Sequence, residues 1–271
     1  MATELNAKVT GKIELAPGNF ILRVAPDNWP LFDFKAGQYC VLGLPGGAPR
    51  SSLSDPEKEA PDPDKFIKRA YSIASSSVEK QYVEFYISLV RSGALSPRLY
   101  NLKIGDQLWL SQKPTGFLTL ENVPPDVNVV LIATGTGLAP YMSMIRTLVT
   151  NEGFNKRYAV IHGSNHSWDL GYQSELHTLD RLSPQFSYFP IISKPEEEPV
   201  KWNGSVGFVD AIWKDGTIDR AWGFHPTPQD THIFLCGNPL MIDFAVDFLG
   251  KEGFREGTRK EPKEIHLERF W

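Results

Sequence analysis

Val127-Asn128-Val129-Val130-Leu131-Ile132-Ala133 runs directly into Thr134-Gly135-Thr136-Gly137-Leu138-Ala139-Pro140, and the joint between the two pieces decides the fold. The first piece is a largely apolar run of strand length, as expected of a parallel strand covered on both faces. From Leu138 to Thr150 the period changes, and Leu138, Met142, Ile145 and Val149 share one helical stripe. Glycines at such a joint let backbone approach a ligand closely. The mouth of the helix offers unpaired N–H groups to a pyrophosphate. Pro140 suits the first helical turn. The dinucleotide fingerprint G-x-G-x-x-G is not met, because Pro140 stands where the third glycine belongs. A plain strand-to-helix turn reads alike on these residues alone.

Working outward, the alternation continues downstream. Arg157 to Gly163, Phe186 to Ser193 and Thr231 to Cys236 read as strands; Ser174 to Leu182 and Leu240 to Gly250 read as helices. Strand–helix alternation predicts a parallel α/β sheet. Upstream of Asn122-Val123-Pro124-Pro125-Asp126 the texture differs. Ala7 to Leu15, Asn19 to Ala25, Gly37 to Leu44, Arg69 to Ser75, Tyr82 to Val90 and Asp106 to Gln112 are short strands with turn residues between them. In Tyr82 to Val90, Val83, Phe85, Ile87 and Leu89 alternate with polar or aromatic neighbours. The expected fold is two-domain: an antiparallel β-barrel over 1–123 and an α/β parallel-sheet domain over 124–271. Only Leu95 to Leu102 looks helical in the first part, with Ser96 a candidate N-cap and Pro97 at the first position. Arg50 to Lys65, rich in Pro, Ser and acid, reads as a solvated loop without a core of its own.

Bulk properties exclude several classes. A net charge of −4, from 28 basic and 32 acidic residues, lacks the basic excess of a nucleic-acid binder. No apolar run has the length of a membrane helix, and the polar opening Met1 to Asn6 does not read as a signal peptide, so a cytoplasmic protein is expected. Two cysteines, Cys40 and Cys236, are too few to ligate an iron–sulfur cluster.

Two further stretches carry chemistry. In Lys68-Arg69-Ala70-Tyr71-Ser72, period two sends Arg69 and Tyr71 to one face of a strand. A guanidinium grips phosphate and an aromatic face stacks on a planar ring, although an Arg–Tyr pair is also ordinary on an edge strand. Cys236-Gly237-Asn238-Pro239 follows an apolar strand and opens a helix. That places a thiol at the crevice where parallel sheets bind ligands, unless it is simply a small buried hydrophobe.

Together Arg69-Ala70-Tyr71-Ser72, Gly135-Thr136-Gly137-Leu138-Ala139-Pro140 and Cys236-Gly237-Asn238-Pro239, in this order, resemble the ferredoxin–NADP reductase family, in particular its bacterial ferredoxin/flavodoxin group. The resemblance implies FAD on Arg69, Ala70, Tyr71, Ser72, Tyr86, Ile87, Ala94, Leu95, Ser96 and Thr136, with Phe270 and Trp271 covering its rings. It implies NADP on Gly135, Gly137, Pro140 and Gly237, with the 2′-phosphate near Asn165, Lys194 and Ser205. Hydride would pass between nicotinamide C4, beside Cys236, and flavin N5, beside Ser72; Glu268 is a candidate proton relay. The implied activity is electron transfer between NADP(H) and a separate carrier, ferredoxin or flavodoxin, by a monomer. The family pattern places cations where this sequence has Asn165 and Ser205. Lys194 is kept, with Glu196-Glu197-Glu198 behind it and His166 nearby, so NADH stays open beside NADPH. The other readings are an NADH-dependent reductase subunit serving an oxygenase or multisubunit complex, and a flavin-binding subunit without turnover. A basic patch of Lys251, Arg255, Arg259, Lys260 and Lys263 is a candidate surface for an acidic carrier.

Overall fold

A computed structural model describes residues 4–151 and 153–269. The chain separates into two compact units, one running to Phe117 and including Met142–Thr147, the other formed by Leu118–Tyr141 and Leu148 onward.

In the first unit, β1 (Ala7–Ala16), β2 (Asn19–Pro26), β3 (Tyr39–Pro45), β4 (Phe66–Ser72), β5 (Val83–Ser88) and β6 (Gln107–Leu110) form one antiparallel sheet in the order β4-β3-β6-β1-β2-β5. The β1–β2 hairpin turns on Pro17-Gly18, and Gly18 adopts φ +87°, a conformation that only glycine enters cheaply. The sheet curls like a barrel without closing, and a bridge from Ile73 to Phe85 spans the gap. Inside lie Phe20, Leu22, Leu42, Ile73, Phe85 and Leu108, all fully buried.

The alternation expected of β5 is overruled. All residues from Val83 to Ile87 are buried, including Glu84 at 1% exposure. Glu84 survives there because Arg23 Nε and Arg146 Nη1 each reach its carboxylate at 2.7 Å, and its own N–H donates to Ser75 Oγ. Breaking a buried ion pair by deleting one member leaves the other charge without compensation. Glu84→Ala is therefore expected to cost about 2–4 kcal/mol, read as a lower urea midpoint at constant slope. An unchanged midpoint would remove the carboxylate from the account of stability.

The helix α1 (Ser96–Asn101) lies where expected, but Ser96 does not cap it. Leu95 holds the cap position, and the buried Ser96 hydroxyl instead accepts the Val90 N–H at 3.0 Å. Residues 50–57 also depart from a free loop. Arg50 and Arg98 both bind the Glu57 carboxylate, Arg98 is 2% exposed, and Asp55 pairs with Arg91. Polar anchorage takes the place of the apolar core that the segment lacks.

In the second unit, β7 (Asn128–Thr134), β8 (Tyr158–Ser164), β9 (Phe186–Ile192), β10 (Ser205–Val206), β11 (Thr231–Cys236) and β12 (Ile265–Glu268) make a parallel sheet in the order β10-β9-β8-β7-β11-β12. The crossover helices are α2 (Ala139–Asn151), α3 (Gln173–Leu182), the short α4 (Val209–Lys214) and α5 (Thr217–Trp222), and α6 (Pro239–Lys251). From β7 the chain builds outward through β8 to β10, then returns to place β11 on the other side of β7. That reversal makes the carboxyl ends of β7 and β11 the switch point, where open parallel sheets bind ligands.

Candidate active site

At the switch point the two expected turns are packed into one another. After β7, Gly135 to Leu138 form a single 3-10 turn with Gly135 at φ +52°, and α2 follows with Pro140 as its second residue. After β11, Gly237 takes φ +138° and Asn238 caps α6, its Oδ1 accepting the Leu240 N–H at 2.9 Å. Thr134 ties the turns together, its Oγ1 accepting the Asn238 N–H at 2.8 Å. A Cβ on Gly137 would lie 2.3 Å from the Cys236 carbonyl oxygen. Gly137 is thus required by close approach and Gly135 by its positive φ, and the cradle they leave suits a pyrophosphate at the mouth of α2.

Beneath this cradle sits His162 on β8, a residue the sequence reading did not assign. It is fully buried, and burial lowers its pKa to about 4, so the imidazole is neutral. Its Nε2–H donates to the Gly135 carbonyl at 3.0 Å, which fixes the tautomer and braces the turn. Its position in the strand was legible, but the carbonyl that it meets belongs to another strand's loop.

Beside the turns, β12 runs parallel to β11 with Glu268 in register with Cys236. Burial raises the Cys236 thiol far above its usual range, with Glu268 adding to the effect, so it stays protonated and is no nucleophile. Burial also raises Glu268 to about 8. Its Oε2 is buried with no hydrogen-bond partner among the described residues. A buried, unsatisfied carboxyl carries a real cost and marks a candidate functional group. Tyr141, fully buried, donates its hydroxyl to the Ile132 carbonyl at 3.2 Å.

The proposed 2′-phosphate residues separate into a pair and an outlier. Asn165 and Lys194 follow β8 and β9 and are joined by the Lys194 N–H to Asn165 carbonyl bond at 3.0 Å. Ser205 stands on β10, paired with Ile191. Lys194 Nζ and His166 Nε2 are both engaged by Glu197, at 2.8 and 2.7 Å.

In the antiparallel unit, β4, which carries the Arg69–Tyr71 stretch, is an edge strand. Arg69 and Ala70 are exposed; Tyr71 and Ser72 are half-buried, and Tyr71 packs against the barrel core. Arg69 donates to the Lys68 carbonyl, and no carboxylate pairs with it among the described residues. Tyr86 and Ile87 are buried on β5, and the Ile87 side chain belongs to the core, so only its backbone is left for a ligand. Ala94 and Leu95 precede α1, and Leu95 is buried. Phe270 and Trp271 lie outside the described residues. Of the basic patch, Lys251, Arg255 and Lys263 are ion-paired with Asp247, Glu264 and Glu261, which weakens it as a steering surface.

Comparison with known proteins agrees with this arrangement. Residues 131–247 match the oxidoreductase NAD-binding domain. Ferredoxin–NADP reductase of Azotobacter vinelandii is 32% identical over 249 residues, covering 89% of this chain and 88% of that one. Flavodoxin/ferredoxin–NADP reductase of Buchnera aphidicola subsp. Baizongia pistaciae is 29% identical over the full length of both. Among solved structures, the Neisseria gonorrhoeae ferredoxin NADP+ reductase with bound FAD and NADP superposes with a TM-score of 0.77 at 23% identity, covering 97% of each chain. The fold and the switch-point turns are those of a nucleotide-dependent oxidoreductase. The chain belongs to the ferredoxin–NADP reductase family.

Proposed function

We propose that this chain is a FAD-dependent reductase moving electrons between NADP(H) and a one-electron carrier, ferredoxin or flavodoxin. The observation that carries the proposal is the interlocked pair of turns at the switch point, with Cys236 and Glu268 in register beside them. We assign FAD to residues 1–123 and the nicotinamide nucleotide to 124–271. The exposed guanidinium of Arg69, free of any carboxylate among the described residues, fits a pyrophosphate, and half-buried Tyr71 offers a ring face. When bound, FAD supplies the exchange between two-electron and one-electron steps.

The residues supply position and protonation. Gly135 and Gly137 seat the nucleotide's pyrophosphate. The protonated thiol of Cys236 gives the nicotinamide end a neutral, apolar wall, and Glu268 holds a proton at neutral pH. Ser72 offers a hydroxyl on β4.

Anaerobic titration of the purified holoprotein with NADPH, and separately with NADH, tests the assignment through the flavin's visible absorbance, followed by addition of oxidised ferredoxin or flavodoxin. Bleaching by nucleotide and reoxidation by either carrier is the expected result. Bleaching without reoxidation by either carrier would remove the carrier assignment, and no bleaching would remove the reductase. An NADH-dependent reductase is the second reading, favoured by Glu197 holding both nearby side-chain cations. Tyr71→Ala is expected to lower flavin content at purification and raise the FAD dissociation constant about tenfold, as lost stacking and apolar contact imply. Stoichiometric flavin in that variant would displace the ring from Tyr71.

A further inference from the structure

We propose that Glu197 sets the choice between phosphorylated and unphosphorylated nicotinamide nucleotides, by competing with the 2′-phosphate for the side chains of His166 and Lys194. The inference rests on the nucleotide site assigned above. With the pyrophosphate at the turn after β7, a dinucleotide laid across the carboxyl ends of the strands brings its adenosine ribose toward the ends of β8 and β9. Those ends carry Asn165, His166 and Lys194, and their backbones are joined.

His166 and Lys194 are both already engaged. Glu197 bridges it, one oxygen 2.7 Å from His166 Nε2 and the other 2.8 Å from Lys194 Nζ. His166 Nδ1 faces Asp169 at 3.2 Å, and the ring lies flat on Trp168, centroids 4.2 Å apart and 8° from parallel. Hydrogen bonds to Glu197 and then Asp169 raise the His166 pKa from its ordinary value. Glu198 stands beside them, accepting from the Ser167 N–H and hydroxyl at 2.7 and 2.6 Å. Two carboxylates, Glu197 and Asp169, thus engage His166 and Lys194, and Glu197 holds both. An arriving phosphate has to displace Glu197 from both or stand against it. A ribose 2′-hydroxyl meets no such opposition, because it can donate to a carboxylate. The acid therefore works as a built-in competitor that narrows any advantage of NADP(H) over NAD(H).

Isothermal titration of the FAD-loaded protein with NADP+, NAD+, 2′-AMP and 5′-AMP tests this without turnover. Glu197→Gln is a surface change that keeps the side chain's length. It is expected to tighten NADP+ and 2′-AMP by about five- to tenfold while NAD+ and 5′-AMP stay within about twofold, the scale of one close charge at an exposed site. Lys194→Met should move the same two phosphorylated ligands the other way. Equal shifts for all four ligands, or none for the phosphorylated pair, would overturn the role of Glu197 while leaving the nucleotide site intact. Failure of the parent protein to bind any of the four would overturn the site itself, and the inference with it.

Discussion

Gly137→Val lowers nucleotide-driven flavin reduction by at least about a hundredfold, with flavin content unchanged, in a stopped-flow comparison with the parent; such a loss follows from displacing a binding turn by about 1 Å. The cause is a contact between backbones, which no side-chain rotation relieves. A Cβ at 137 would stand 2.3 Å from the Cys236 carbonyl oxygen, 2.6 Å from its carbon and 2.7 Å from Gly237 Cα. The opposing turn is packed as closely from its own side, since a Cβ on Gly237 would itself be 2.2 Å from Thr134 Oγ1. The two turns must therefore part, and the N–H groups at the mouth of α2 move with them. Reduction within about threefold of the parent rate would show that the nucleotide does not use this cradle.

Glu268→Gln changes how stability depends on pH. The folded carboxyl titrates at about 8 against an ordinary value of 4.5, because burial disfavours its charge. Between these values the folded chain keeps a proton that the unfolded chain has released, so stability from this group is full below about pH 4.5 and declines as pH rises to about 8. Glutamine has the shape without the proton. The variant should match the parent near pH 5 and exceed it by on the order of a few kcal/mol near pH 9. Urea unfolding of both proteins across that range is the check. Parallel stability curves would mean that Glu268 ionises normally, and its candidacy as a proton carrier would go with that result.

Local pattern made the scaffold legible. The largely apolar run ending at Ala133, the glycines at 135 and 137 and the helical stripe beginning at Leu138 announce a strand, a turn and a helix within a few residues, and the structure has all three. Strand β12 was not legible that way. Ile265 to Glu268 is only four residues long, and its register with Cys236 is set by pairing with a strand far back in the sequence. The same holds for His162, whose role depends on the Gly135 carbonyl, and for Glu84, whose burial depends on Arg23 and Arg146. Lys194 is legible as a cation, but its engagement by Glu197 together with His166 depends on how β8 and β9 bring their ends together.

Strand β12 has a consequence for handling the protein. By lying along β11 it turns that strand, with Ile233, Phe234 and Leu235 all fully buried, from a border into an interior strand. Truncation before Ile265 would bare a row of backbone donors and acceptors flanked by apolar side chains, a template for pairing between molecules. Such a truncated chain would self-associate as its concentration rose, and it would lack Glu268 as well.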